Sequence, residues 1–392
     1  MKIGFIVDKC APFYVGGYEI RVYELAKRLS KRHEVRIYTS VERNVFDGSL
    51  QFVRICSRHV QRRRSGKRSY IHSLIFSSKL LKNPIVEWSP DVIIVEAIPY
   101  LQLMFMKKWH SQINCIWILD VVEAWNSYAF HGRKNSTINK LIRWLLQLGI
   151  SWCDLVTTIS TATAESLKSN YGVPESKLFK IPLGVDLQKN RHFSKIDKNG
   201  IDTTKYDVIT VGRMVKIKHP QDILNALWLL KEMHGWSGKA VFVGDGPLKK
   251  SLLRQCNKLD LTEQIDFKGL VSDDKKFDLL LSSNIFILAS EREGFSLATL
   301  EALSVGLPAI VAIPVENEVF GVSDIVKNGF NGLYFKLGDC EELSEKILQL
   351  LSDKNERKRL SENARQTALG YDWNYISNKF EETLRTIVVV PE

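Results

Sequence analysis

Two successive series of short β-branched runs, each alternating with helical stretches, predict an α/β protein made of two doubly wound parallel sheets. Length agrees with two domains: the chain has 392 residues, and single cores stop growing at roughly 250 to 300. A hydrophobic content of 45% and a charged content of 25% are those of an ordinary globular protein.

The first series reads Ile3 to Val7, Val35 to Thr39, Phe52 to Cys56, Val92 to Glu96, Cys115 to Leu119 and Leu155 to Ile159. The opening apolar run is cut by Asp8 and Lys9, too early for a signal peptide, so it reads as the first core strand. The second series reads Tyr206 to Val211, Lys239 to Val243, Gln264 to Phe267, Ile285 to Ala289 and Ala309 to Ala312. Between them, Pro182, Gly184 and a polar stretch from Gln188 to Lys205 mark the connection. The domains are therefore expected at 1–185 and 186–370. Residues 371–392 form a last helix, with Trp373, Ile376, Phe380 and Leu384 at helical spacing, packing near the domain junction. Two such domains are expected to face one another across a cleft, with ligands at the carboxyl ends of their strands.

Charge is unevenly spread. Residues 1–185 hold 27 Lys and Arg against 14 Asp and Glu, a net of +13, whereas residues 186–392 hold 28 against 30, a net of −2. Much of the excess lies in Arg54, Arg58, Arg62, Arg63, Arg64, Lys67 and Arg68, with no acid among them. Such a cluster suits an anionic membrane surface or an acidic acceptor, or is a solvated loop. Nucleic acid is disfavoured, because interleaved aromatics and known nucleic-acid motifs are missing. No stretch approaches the ~18 apolar residues of a membrane span. The segment 138–148 offers an apolar side with Trp144, for which packing into the core is the expected use. Six scattered cysteines without C-x-x-C spacing read as reduced thiols of a cytoplasmic protein.

The densest chemistry is Glu293-Gly-Phe-Ser-Leu-Ala-Thr-Leu-Glu301, placed between a strand and a helix. Amides at a helix start favour an anion, and carboxylates accept paired hydroxyl protons, so a sugar phosphate is the expected ligand. The bland alternative is two solvated acids. After the strand at 206–211, Arg213 and Lys218 offer a planar fork and a point charge suited to a diphosphate. Gly244 and Gly246, in Val243-Gly-Asp-Gly-Pro247, permit close backbone approach or form a plain turn. Gly16-Gly17 stands just before a helix without the dinucleotide fingerprint.

Taken in order, Gly16-Gly17, Gly212-Arg213 with Lys218, Val243-Gly-Asp-Gly-Pro247, Glu293-Gly-Phe through Glu301, and Gly329-x-x-Gly332 resemble the retaining glycosyltransferases of the GT-B fold, and more narrowly glycosyltransferase family 4. The resemblance spans the chain and is most specific over residues 206–332. It implies two Rossmann-like domains and a metal-independent enzyme, with no cofactor beyond the nucleotide diphosphate sugar it consumes. It further implies that Arg213 and Lys218 neutralise the leaving diphosphate, and that Glu293 with the amides of Gly294, Phe295, Ser296 and Leu297 holds the donor sugar and phosphate. Glu301 would bind the ribose, Gly17 would close over the diphosphate, and Lys268 to Val271 would border the base.

One departure from the family stands out. Many members have a histidine after the fifth N-terminal strand, where this chain reads Leu119-Asp120. Asp120 then either assists at the anomeric centre or only caps a turn, with His131 as a nearby substitute. The acceptor expected is a lipid-linked or growing glycan, met by a cytoplasmic protein at the inner membrane face. Rival functions are a sugar-nucleotide epimerase, a phosphorylase, or a non-catalytic basic scaffold on the same architecture.

Overall fold

The structure is a computed structural model and describes residues 1–14, 16–57, 70–80, 85–122, 137–187, 204–314 and 320–388. Of the basic cluster, Arg58 to Arg68 lie outside the described residues, as does His131; Arg54 lies in a strand. The chain forms two compact units, Met1–Leu183 with Trp373–Glu392, and Gly184–Asp372.

The first unit is an eight-stranded sheet of β1 (Lys2–Ile6), β2 (Glu34–Ser40), β3 (Val45–Asp47), β4 (Leu50–Cys56), β5 (Val92–Glu96), β6 (Ile116–Val121), β7 (Leu155–Thr158) and β8 (Leu178–Lys180), in the order β3-β4-β2-β1-β5-β6-β7-β8. Every pairing is parallel except β3 with β4. Strands covered on both faces read as continuous apolar runs, and Val92 to Val95 are accordingly all buried. The three-residue β3 and β8 escaped the sequence pattern because neither is long enough to show a period.

One core of this unit joins Phe76, Leu103, Met106, Leu145, Leu146 and Ile150 of three helices to Trp117 and Val95 of the sheet. The segment 138–148 was expected to use its apolar side for that core. The structure divides it instead: Leu145 and Leu146 are buried, while Leu141 and Trp144 stay 52% and 50% exposed. Helix Thr137–Trp152 packs beside helix Gln102–His110, which packs beside helix Tyr70–Leu80. Met104, Ile71 and Leu74 on those neighbours are exposed as well.

The last helix, Trp373–Val388, groups with the first unit, where it packs on helix Gly17–Leu29. Its buried side is the expected row Trp373, Ile376, Phe380 and Leu384. Glu381 on the same side pairs with Arg32 and with Arg385 at 2.8 Å, and lies 3.1 Å from His33 Nε2. Burial opposes the charge of Glu381, but hydrogen bonds from Arg385, Arg32 and His33 outweigh it and hold the carboxyl below its usual range.

The second unit is a six-stranded parallel sheet of β9 (Tyr206–Val211), β10 (Ala240–Val243), β11 (Ile265–Gly269), β12 (Ser283–Leu288), β13 (Ala309–Ile313) and β14 (Gly332–Lys336), in the order β11-β10-β9-β12-β13-β14. Numbered within the unit, this is the 3-2-1-4-5-6 arrangement of dinucleotide-binding sheets, whose direction reverses between β9 and β12. Its core joins Val208, Phe242, Ile285, Ile287 and Ile310 to Leu224, Leu227 and Ile347 of the covering helices. The Gly329-x-x-Gly332 segment is the turn into β14, closed by Gly329 N–H donating to the Gly332 carbonyl at 2.8 Å.

Replacing Glu381 with Ala should cost about 1–3 kcal/mol of unfolding free energy in urea. A carboxyl with a depressed folded pKa adds stability above its unfolded value, 4.5, and loses it as pH falls through the folded one. The gap between wild type and Glu381→Ala should therefore close in acid; a gap constant with pH would show that Glu381 does not hold this helix by charge.

Candidate active site

In the second unit the site residues are gathered by the loops that leave the carboxyl ends of β9 to β12. These loops are tied backbone to backbone. Gly212 N–H donates to Val243 O at 2.9 Å, Met214 N–H to Asp245 O at 2.9 Å, Gly244 N–H to Gly269 O at 2.8 Å, and Glu291 N–H to Ile217 O at 2.9 Å. Such proximity leaves no room for side chains at two positions. A Cβ on Gly244 would run into the Gly212 carbonyl, and one on Gly246 into that of Met214; Gly244 also has a φ of +130°. The close approach expected of these glycines is thus toward the adjacent loop.

Lys218 ends the 3-10 turn Lys216–Lys218, and His219 separates it from helix Pro220–His234. Its ammonium pairs with Glu293. Glu293 is held in turn by Gly321 N–H, which donates to its carbonyl at 2.8 Å. Arg213 is exposed and directly follows Gly212. Together with Thr210, Gly212, Lys218 and Ser290 it lines a cavity of about 20 Å³, enough for a single water molecule. Ser290 is buried, and its hydroxyl has no hydrogen-bond partner among the described residues.

The turn after Glu293 leads into helix Leu297–Ser304, as expected. Ser296 caps it in the left-handed region, φ 82°, accepting from Thr299 N–H at 3.4 Å. The amides of Leu297 and Ala298 begin the helix, where geometry supplies no intrahelical carbonyl. Phe295 contributes packing rather than surface: it is buried, with its ring centroid 5.6 Å from that of Tyr371.

Glu301 stands one turn into this helix and is only 7% exposed. Its carboxylate accepts from Lys276 Nζ at 2.7 Å, and Lys276 also reaches Asp273 at 3.0 Å. Burial works to strip Lys276 of its proton, but the Glu301 carboxylate outweighs it and holds the ammonium above its usual range. Burial also raises the Glu301 carboxyl, a rise that Lys276 opposes. Lys276 and Ser290 were not foreseen from sequence. Lys275 and Lys276 each fall one helical turn from an aspartate, Asp278 and Asp273, so spacing does not single out Lys276. Val271 follows the exposed Leu270 in the loop after β11.

In the first unit, Gly16 is the N-cap of helix Gly17–Leu29, and the Glu19 carboxylate lies against it. Asp120 lies in β6 and is buried. At 1% exposure it pairs with the buried Arg21, accepts from Tyr18 at 3.1 Å on the same oxygen, and accepts from Thr157 at 2.7 Å on the other. Arg21 in turn donates to the Ile181 carbonyl at 3.2 and 2.9 Å. Burial, followed by the Asp120 charge, pushes the Tyr18 phenol well above its ordinary range. In these contacts the side chain neutralises a buried guanidinium rather than capping a turn.

Among the described residues, no group of three or more His, Cys, Asp and Glu side chains is placed to hold a metal ion. No helix among them is long and apolar enough to cross a membrane.

Two family models match the chain: "Glycosyl transferases group 1" over residues 192–367 and "Glycosyltransferase Family 4" over residues 15–189. N-acetyl-alpha-D-glucosaminyl L-malate synthase of Bacillus anthracis is 28% identical over 236 residues, 59% of this chain and 58% of that protein. The N,N'-diacetylbacillosaminyl-diphospho-undecaprenol alpha-1,3-N-acetylgalactosaminyltransferase of Campylobacter jejuni is 26% identical over 331 residues, 77% of this chain and 82% of that protein. Among solved structures, sucrose-phosphate synthase of Thermosynechococcus elongatus superposes with a TM-score of 0.78, covering 98% of both chains at 16% identity, which is a likeness of fold.

Removing the Asp120 carboxylate strands the Arg21 charge. Asp120→Ala should therefore lower stability by about 3–5 kcal/mol, read by urea unfolding. A variant as stable as wild type would show that Asp120 does not anchor Arg21.

Proposed function

The chain belongs to glycosyltransferase family 4 and has the GT-B fold, and on that premise we propose that it moves a sugar from a nucleotide diphosphate sugar to an acceptor hydroxyl, with retention and without a metal ion. What carries this is the convergence of Arg213, the Lys218 and Glu293 pair and a capped helix N-terminus on loops from both sides of the strand-order reversal. Ligands of such sheets bind at that point.

The chemistry asks for this set of groups. As the bond from the anomeric carbon to the phosphate oxygen breaks, its electron pair leaves with the phosphate, and fixed donors aimed there lower the barrier. Arg213 and Lys218 supply that positive charge, with the helix amides beside them. An arriving diphosphate takes the place of Glu293 as the partner of Lys218. Glu293 is then free to accept from sugar hydroxyls. Glu301, facing the Lys276 ammonium, accepts from the ribose diol. The acceptor oxygen bonds to the anomeric carbon on the face the phosphate leaves, and its proton passes to that phosphate, so charge and atoms balance without another base.

A lipid-linked or growing glycan is the acceptor class favoured, because the Campylobacter relative is named for an undecaprenyl diphosphate acceptor. The exposed Leu141 and Trp144 in a net cationic half of the sequence suit shallow contact with an anionic bilayer at its cytoplasmic face.

Arg213→Ala, Lys218→Ala and Glu293→Gln should each reduce transfer by roughly 10²–10³-fold with unfolding unchanged. Near-normal turnover in any of them would remove its assigned role. EDTA should leave the rate intact, and the product should keep the donor's anomeric configuration by NMR. Phosphate-dependent release of sugar phosphate, or epimerised product without acceptor, would instead favour a phosphorylase or an epimerase. Separately, Leu141→Ser combined with Trp144→Ser should weaken binding to phosphatidylglycerol vesicles at least about tenfold, given roughly 1.5–3 kcal/mol per buried apolar side chain. Unchanged sedimentation would remove the membrane contact.

A further inference from the structure

Between Lys218 and Pro220 the backbone turns through His219, at φ 43° and ψ 46°. Among the described residues only Ser89, His219, Asp260 and Ser296 have positive φ without being glycine, and two of those four lie in the loops of the site. An L-residue persists in this region only where its surroundings over-determine it. At His219 they do so from two elements. Nδ1 lies 3.1 Å from Asp222 Oδ2, in the first turn of helix Pro220–His234, and Nε2 lies 3.9 Å from Glu291 Oε2, in the loop after β12. The Asp222 amide returns a bond of 3.0 Å to the His219 carbonyl.

The ring therefore spans the two loops whose ends carry Lys218 and Glu293. One backbone bond already joins them, from Glu291 N–H to Ile217 O. We propose that His219 is a positioning residue: as an imidazolium, hydrogen-bonded through Nδ1 to Asp222 and attracted across 3.9 Å through Nε2 to Glu291, it fixes the Lys218 turn against the Glu293 loop. Neutral imidazole can keep the hydrogen bond to Asp222 but carries no charge to attract Glu291. Loss of the proton removes that attraction and leaves the backbone bond to hold the second loop.

The charged groups facing the ring bear this out in sign. Asp222 from the helix and Glu291 from the β12 loop favour the imidazolium, while Lys216 in its own turn opposes it; the Cys340 thiol of helix Cys340–Ser352 lies within electrostatic reach of Asp222. The hydrogen bond to Asp222 dominates and raises the His219 pKa above its ordinary 6.5, against burial. A raised folded pKa means that the bridge contributes fully below the unfolded value and is lost as pH rises through the folded one.

The catalytic side of this proposal rests on the transferase reading, but a second measurement does not. His219→Asn keeps a residue that tolerates the left-handed backbone and removes the charge. Its melting temperature should fall below that of wild type near pH 6, and the difference should shrink toward about pH 8. In transfer assays it should raise the donor KM about two- to fivefold, the size of a partly exposed ion pair, with kcat little changed, and should flatten the alkaline limb of kcat/KM. A pH-independent melting difference, or a wild-type KM and pH profile, would overturn the proposal. If the Asn variant does not fold, His219→Gly, which suits the backbone better still, is read in the same two assays. Should wild type transfer no sugar at all, the transferase reading fails, and the melting series alone decides the bridge.

Discussion

The second unit depends on backbone contact between neighbouring loops at the carboxyl edge of its sheet. Four inter-loop hydrogen bonds run from the β11 loop through those of β10 and β9 to that of β12, and the glycines at 244 and 246 are what allow the chains so close. A loop held only by its ends samples many conformations, and fixing each residue costs roughly 1–2 kcal/mol. Here that cost is met during folding, so Arg213, Lys218 and Glu293 stand near one another before any ligand arrives. Preorganisation of this kind is the larger share of what a charged site contributes to a barrier.

Each acid of the site is matched to a lysine, and the two pairs differ in exposure. The Lys218 and Glu293 side chains retain 25% and 13% of their surface, against 15% and 10% for Lys276 and Glu301. Separating a desolvated pair leaves two uncompensated charges and is strongly unfavourable. The more open Lys218 pair is therefore the one suited to exchanging partners with an anion, whereas the Lys276 pair is suited to persisting. A persistent pair still has acceptor capacity, since an ionised carboxylate offers about four lone-pair directions and Lys276 uses one oxygen.

Much of this was legible in the sequence, for physical reasons that differ by element. Buried parallel strands such as Val92–Glu96 are continuous apolar runs and declare themselves, whereas Leu178–Lys180 is too short to carry any period. The Glu293 to Glu301 element was readable because one short segment encodes strand end, cap and helix face together. Its partners were not, because Lys276 comes from a different helix and Ser290 is distinguished only by burial. Leu141 and Trp144 misled for a related reason: amphipathic spacing identifies one apolar face, and a helix with an apolar flank beyond its core-facing stripe shows the same pattern.

Asp120 illustrates how a departure from a family pattern resolves through its neighbours. Taken as an isolated carboxylate at a strand end, it invites a catalytic role. The neighbouring chain gives it another. Arg21 is itself buried, and a guanidinium cannot shed its proton to escape the cost of burial, so that position demands an anion within reach. Asp120 meets the demand with one oxygen while Thr157 occupies the other. The same guanidinium holds the Ile181 carbonyl, shortly before the chain passes into the second unit after Leu183. A carboxylate at 120 and an arginine at 21 are thus one decision, and neutralising either alone would leave the other's charge buried without its partner.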